Sequence, residues 1–339
     1  MNGRWTRTTA VVACAFAFAA CDTGSPTAGI DRGGVRTPVT AEGPITGFGS
    51  IIVNGVHYDI DRATIVIDGQ TASGADLALG QLVTVTGERD EAGTTGLASS
   101  VSLRTNVRGP VGAVNAAASE LTVLGQRVLV GFDTVLALGS ASPTLASIAV
   151  GDVVAVSGFV GGGGLIDATR IERAAAGTEV AVLGIVMGLD ASARRFSIGS
   201  LAVDYGSAVL IEDFPSGAPR LGDRVFVKGV MSSSGSMLLA RELHFAEEAE
   251  EEQQPGGEVE VEGLISRFVS PADFDVAGRA ARASSTTVYE DGSAASLALN
   301  VRVELEGTID SLGVIVARKI EIENSGRIVG DGGAEEDDD

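Results

Sequence analysis

Past residue 21 this chain has no cysteine at all. Its two thiols, Cys14 and Cys21, leave the remainder unable to form a disulfide or a cysteine-ligated metal site. Histidine is equally scarce, with only His57 and His244, far apart in sequence. Lysine also occurs twice, as Lys228 and Lys319, so arginine supplies nearly all the positive charge against 45 carboxylates. Aromatic residues are 4% of the chain, too few for a platform that stacks bases. Beyond residue 20 no run approaches 18 consecutive apolar residues, the length a membrane-spanning helix needs.

What the chain does have is small and β-branched. Hydrophobic residues make up 45%, mostly Val, Ala, Leu and Ile, interrupted by 46 glycines. β-Branched side chains suit a pleated surface, and glycine suits tight turns. A length of 339 residues fits two to four domains. The net charge of −21 is uneven: residues 242–262 hold nine carboxylates and the last nine residues hold six.

The first 21 residues read as an export signal. Arg4 and Arg7 precede an apolar run from Thr8 to Ala20, too short to cross a bilayer but suited to a signal-peptide core. The run ends in Phe18-Ala19-Ala20-Cys21, which resembles a bacterial lipobox, with Phe18 where leucine is usual. In such signals the cysteine becomes the first mature residue and carries the lipid, making Cys21 the expected lipid-attachment site. Two other readings stay open: cleavage at Ala17-Phe18-Ala19, which releases a soluble secreted protein, or Cys21 as a plain small apolar residue. Residues 22–41, rich in Gly, Thr and Pro, are expected to be a flexible tether.

Four copies of one unit follow. The marker is an apolar residue, Gly or Asn, two variable residues, then V-x-[VL]-x-G. It occurs as LGQLVTVTG (79–87), VGDVVAVSG (150–158), LGDRVFVKG (221–229) and LNVRVELEG (299–307). Each unit opens with G-x-[IV], at Gly43-Pro44-Ile45, Gly109-Pro110-Val111, Gly184-Ile185-Val186 and Gly263-Leu264-Ile265. An alternating run comes next (IIVNGVHYDI, LTVLGQRVLV, FSIGSLAVDY, FDVAGRAARA), then a third strand candidate (TIVID, TVLAL, AVLIE, TVYED). After the marker comes A-x-x-[IVL], at Ala98–Val101, Ala168–Ile171, Ala240–Leu243 and Ala317–Ile320. Alternation in the marker predicts that Val83 and Val85, Val154 and Val156, Val225 and Val227, and Val303 and Leu305 point inwards. Thr84, Ala155, Phe226 and Glu304 then point outwards. The closing glycine is expected at a turn or bulge where a side chain would clash.

The expected fold is therefore all-β: four tandem small β-barrel, OB-like domains over 42–104, 107–173, 178–245 and 258–323, each of about five short strands. Closure into a barrel removes the exposed edges of so small a sheet. Small β-sandwiches are the alternative. Residues 246–257 form an acidic linker and 324–339 an acidic tail. The landmarks resemble the bacterial domain-of-unknown-function family 5666, tandem β-domains of exported proteins. That resemblance covers nearly all of 42–323 and implies no activity, ligand or catalytic residue. Unit four departs most, with Asn300 for glycine and Ala- and Arg-rich residues 279–283.

Candidate chemistry is sparse. His57 has Asp59 and Asp61 close in sequence, but no G-x-S-x-G elbow exists, and an outward polar strand residue is the favoured reading. Asp59, Asp61 and Asp68 lack calcium-loop spacing. Gly161–Gly164 sits where a hairpin turn is expected, with no following lysine, and reads as a turn and not a phosphate cradle. Counting charged residues gives the units −5, −1, −1 and −6, surfaces that repel nucleic acid. No catalytic, cofactor-binding or metal-ligating residue is assigned. The expected function is a non-enzymatic, lipid-anchored cell-envelope module that binds or spaces, held at the membrane through Cys21, with an envelope protein or glycan as partner. The alternative is an envelope hydrolase or small-ligand enzyme with a carboxylate-based site between repeats.

Overall fold

The computed structural model describes residues 36–211, 214, 217–246 and 255–323. Cys21, the export signal, most of the acidic linker and the acidic tail lie outside the described residues. So does most of the expected tether, but its last six residues are strand, because Val39 and Ala41 alternate inwards and are buried.

Unit one contains β1 (Arg36–Pro44), β2 (Ile51–Val53), β3 (Val56–Asp59), β4 (Thr64–Ile67), β5 (Gln70–Ala72), β6 (Leu82–Asp90) and β7 (Thr95–Leu103). Unit two contains β8 (Val107–Asn115), β9 (Glu120–Val123), β10 (Gln126–Ala137), β11 (Val153–Val160) and β12 (Ile166–Arg173). Unit three contains β13 (Val180–Ile185), β14 (Met187–Asp190), β15 (Arg195–Ile198), β16 (Leu201–Asp204), β17 (Val209–Ile211), β18 (Arg224–Met231) and β19 (Met237–Phe245). Unit four contains β20 (Glu258–Ser270), β21 (Asp273–Val276), β22 (Arg279–Arg282), β23 (Val288–Glu290), β24 (Arg302–Ile309) and β25 (Ile315–Glu323). No α-helix occurs among the described residues, only short 3-10 turns.

The units share one pairing order, closed by strand pairs in units two and four and in unit one only by the isolated Gly47–Ile52 bridge. In unit two it runs β8-β9-β10-β12-β11 and returns from β11 to β8, with β10 and β12 parallel. Unit four repeats it as β20-β21-β22-β25-β24 and back to β20. Each alternating run, expected as one strand, folds back at its middle into a two-residue hairpin. Asn54-Gly55, Leu124-Gly125 and Ala277-Gly278 all take positive φ at both residues, the turn that matches the twist of a hairpin.

The marker strands alternate as expected: all eight predicted inward residues are at most 1% exposed. Both glycine landmarks are close approaches. A Cβ on the opening glycines Gly43, Gly109, Gly184 or Gly263 would come closer than 3.0 Å to a side chain of that unit's hairpin. On the closing glycines Gly87, Gly158, Gly229 and Gly307 it would meet a carbonyl oxygen of the next strand. Opposite each closing glycine that strand carries one extra residue, a β-bulge. The bulge lets both ends of A-x-x-[IVL] face the core despite odd spacing, as with Ala168 at 3% and Ile171 at 0% exposure.

Four discrete barrels, however, are not what forms. The N-terminal half of each first strand keeps one open edge, and the units pair through those edges. β1 joins β20 in parallel, making a 13-stranded sheet of units one and four. β8 joins β13 antiparallel, making a 12-stranded sheet of units two and three. An unpaired edge exposes backbone donors and acceptors, and pairing edge to edge satisfies them. Paired residues share a sheet face, so Val107 lies with Val182, and units two and three have one merged core. Units one and four keep separate cores.

Candidate functional site

The sequence candidates scatter. His57 is exposed on β3, with its Nδ1 3.3 Å from Ser50 Oγ, also on the surface. Asp59 accepts the backbone N–H of Asp61 in a local turn. Asp68 does not join them. It is buried at a joint between units, accepting Thr105 N–H at 2.7 Å, Thr105 Oγ1 at 3.0 Å and Arg108 Nη2 at 2.5 Å. His244 is 4% exposed, with Nε2 3.1 Å from Glu242 Oε2 and its ring beside Phe226. Lys228 Nζ lies 2.6 Å from the same Glu242 oxygen. Those two partners, Lys228 first, hold the Glu242 carboxyl below its usual range.

Gly161–Gly164 forms a tight turn between β11 and β12, and three of its amides are engaged. Gly161 donates to Leu165 O, Gly162 to Asn300 Oδ1 at 2.8 Å and Gly164 to Gly161 O. A phosphate cradle needs those donors free. This turn instead forms one wall of a cleft of about 870 Å³. The opposite walls come from Leu183–Ile185, Met187 and Gly222–Arg224 of unit three. Unit four adds Asp275, the Ala277–Ala280 turn and Leu312. Three large apolar side chains open onto it: Ile185, Met187 and Leu312, the last 82% exposed. Its charged lining residues are Asp223, Arg224, Asp275 and Arg279, of which Asp275 is held by Arg267 at 2.7 Å and 2.9 Å and Asp223 accepts the Arg220 N–H at 2.7 Å. The cleft is thus mixed, with exposed apolar side chains and glycine backbone beside charged residues, a size and character suited to a ligand or a partner's side chains. Sequence reasoning missed it, because its walls come from three units, and the landmarks that line it, Gly161–Gly164, Gly184-Ile185 and Gly222–Arg224, read as turns and packing positions.

Unit four meets its neighbours through charge. Arg302 lies over the Phe159 ring at 4.6 Å and reaches both Glu262 and Asp133 of unit two. Arg89 of unit one bonds Glu260 at 2.5 Å and Glu258 at 3.3 Å. Thr169 Oγ1 and Arg170 of unit two donate to Gly80 O and Leu79 O of unit one. Among the described residues, no group of His, Cys, Asp and Glu is arranged to hold a metal ion.

Against known families, the model described as "Domain of unknown function (DUF5666)" matches residues 38–102, 108–172 and 262–321. The chain belongs to the DUF5666 family. The matched segments are units one, two and four, and unit three carries the same marker and closing-glycine bulge between the second and third DUF5666 matches. No curated protein matches this chain. Three solved chains resemble it. One, titled "drosophila Unr CSD456", is 13% identical, with 63% of this DUF5666 chain and 98% of that one covered at a TM-score of 0.19.

Proposed function

We propose that this protein is a non-enzymatic cell-envelope lipoprotein, anchored through Cys21, whose four OB-like units form one binding platform for an envelope protein. The OB-like reading is supported by the pairing order: first, second, third, fifth and fourth strands, then back to the first, with the third and fifth parallel. The binding reading rests on the cleft between units two, three and four, where Ile185, Met187 and Leu312 face solvent around an exposed glycine turn. Apolar side chains gathered in a concave surface favour a protein partner over a glycan, which would call for stacking aromatics.

The alternative of a carboxylate hydrolase would need two acids flanking an accessible bond. At the joint of units one and four, Glu260 is 3% exposed and already paired with Arg89 of unit one, an arrangement that does not set two acids about an accessible bond.

A photo-crosslinking residue at Met187, introduced into the full chain in its native envelope, tests the partner. Capture of one envelope protein, lost with Leu312→Asp, supports the reading. Capture of glycan alone, or identical products from a crosslinker at exposed Phe132 outside the cleft, overturns it. Fatty-acid labelling of the wild type and not of Cys21→Ser tests the anchor.

A further inference from the structure

The marker of every unit begins with a turn that holds an apolar residue out of the fold. Gln81 N–H donates to Ala78 O, Asp152 N–H to Ala149 O, Asp223 N–H to Arg220 O and Val301 N–H to Ala298 O. The third residue of each turn (Gly80, Gly151, Gly222 or Asn300) has positive φ, as a type II turn requires. The second residue is the tip: Leu79, Val150, Leu221 or Leu299.

Two of these four tips are docked on unit two. Leu79-Gly80 sits on β10 and β12, where Thr169 Oγ1 donates to Gly80 O at 2.6 Å and Arg170 Nη1 to Leu79 O at 3.0 Å. A Cβ on Gly80 would stand 2.9 Å from Val135 Cγ2, so the glycine permits the approach. Leu299-Asn300 sits on the glycine turn: Gly162 N–H donates to Asn300 Oδ1, and a Cβ on Gly162 would meet Leu299 Cδ1 at 2.7 Å. The other two tips stand open. Among the described residues, nothing lies within 4 Å of where a Cβ on Gly151 or Gly222 would be. Val150 and Leu221 are 67% and 65% exposed, against 42% and 51% for the docked Leu79 and Leu299. Gly222 lines the cleft, which leaves Val150-Gly151 as a tip with no role yet.

The face that receives a tip also occurs again. β8 and β13 are equivalent strands paired antiparallel, and Val107 lies opposite its own counterpart, Val182. Units two and three are therefore related by a local two-fold axis at their seam. Unit two pairs Val135 with Arg170 on its outer face, and unit three pairs Val209 with Glu242 in the same way. Arg241 stands at the position of Thr169, putting a guanidinium one residue earlier than Arg170. Unit one covers this face on unit two. On unit three it is uncovered: Val209 is 62% exposed, and Leu239 and Arg241 are exposed on β19. In unit four the same positions, Arg318 and Lys319, already hold Glu306, Glu290 and Glu321. Arg241 meets Glu179 only at 3.9 Å, beyond hydrogen-bond reach.

We propose that two copies of this protein pair by seating the Val150-Gly151 turn of each on the β17–β19 face of the other's unit three. The contact repeats between chains what unit one makes with unit two within a chain. Val150 packs on Val209 and Leu239, and Arg241 donates to the tip carbonyls, as Thr169 and Arg170 do for Gly80 and Leu79. Each copy carries one such tip and one such face, so the contact is reciprocal and closes as a two-fold dimer. Apolar surface leaves water on both sides. None of these residues lines the cleft, so a second copy and an envelope partner can bind together.

The chain has no cysteine past Cys21, which suits disulfide trapping. Two full-length copies with different tags, one carrying Val150→Cys and the other Arg241→Cys, are produced together in the native envelope and oxidised. A disulfide-linked heterodimer is expected. Both positions are exposed, so neither substitution should disturb folding. Adding Val209→Asp to the second copy should lower the linked yield at least about fivefold. Phe132→Cys, exposed elsewhere on unit two, should give no link when it replaces Val150→Cys. The unsubstituted protein in mild detergent should sediment as a dimer. A monomer at every concentration, no link through Val150→Cys, an equal yield from Phe132→Cys, or a link through Leu221→Cys in its place overturns the pairing.

Discussion

Glu260 and Ala41 stand side by side across the β1–β20 seam, although one lies on the outer face of unit four and the other in the core of unit one. The sheet turns inside out at that point. A carboxylate can occupy the position only because Arg89 reaches across β1 to meet it. Replacing Arg89 with methionine leaves a buried charge unpaired and should cost about 3–5 kcal/mol in a denaturant melt of the full chain. Double replacement Arg89→Met with Glu260→Leu should recover most of that loss.

The marker strand gives a second test. Val156→Asp places a carboxylate in the core, at 0% exposure, and should cost several kcal/mol, or prevent folding. Ala155 points the other way, where solvent was expected, yet it is 7% exposed because neighbouring units cover the outer face of β11. Ala155→Asp should therefore destabilise the full chain by roughly 1–3 kcal/mol. In a fragment lacking units one and four it should cost about 0.5 kcal/mol or less.

The merged core of units two and three sets the folding unit. A fragment of residues 107–245 should melt in one cooperative transition, followed by circular dichroism. Residues 107–173 alone would expose apolar residues such as Val107, the seam partner of Val182, and should bind a hydrophobic dye or aggregate. Two separate transitions in the longer fragment would contradict a shared core.

The two histidines should behave differently. His57→Ala, at an exposed strand position, should shift stability by no more than about 0.5 kcal/mol. His244→Ala empties a buried site beside Phe226 and should destabilise measurably.

Glu242, the partner of Lys228 and His244, supplies an acid limb. Its folded pKa is depressed, so its contribution is present above the ordinary glutamate range and is lost as pH falls through and below about 4.3. Glu242→Gln should flatten that limb in thermal melts taken between about pH 5 and about pH 3. The wild type and variant converging only at neutral pH would reverse the sign and count against it.

Much of a single unit was legible in the sequence. Val154 and Val156 alternate, which places both in the core of a strand whatever surrounds it. Ala168 and Ile171 are three apart, a spacing that both can bury only with a bulge between them, and Gly158 is the residue opposite where a Cβ has no room. The turn inside each alternating run was not read from the sequence: alternation continues across a two-residue hairpin, so period alone could not reveal it, and only unit one carries Asn-Gly there, at Asn54-Gly55. These are local constraints, written in spacing of two or three residues and in the absence of a side chain.

How the four units meet was decided by tertiary structure alone. Nothing in the spacing of β1 or β8 says which open edge will find which partner, since backbone edges are chemically alike in every unit. Once β20 pairs with β1, Glu258 and Glu260 come to lie beside Val39 and Ala41, and Glu260 is buried. Once β8 pairs with β13, two cores become one. The cleft of Ile185, Met187 and Leu312 exists only because three units converge, and burial across chain-distant neighbours leaves no period for a sequence to display.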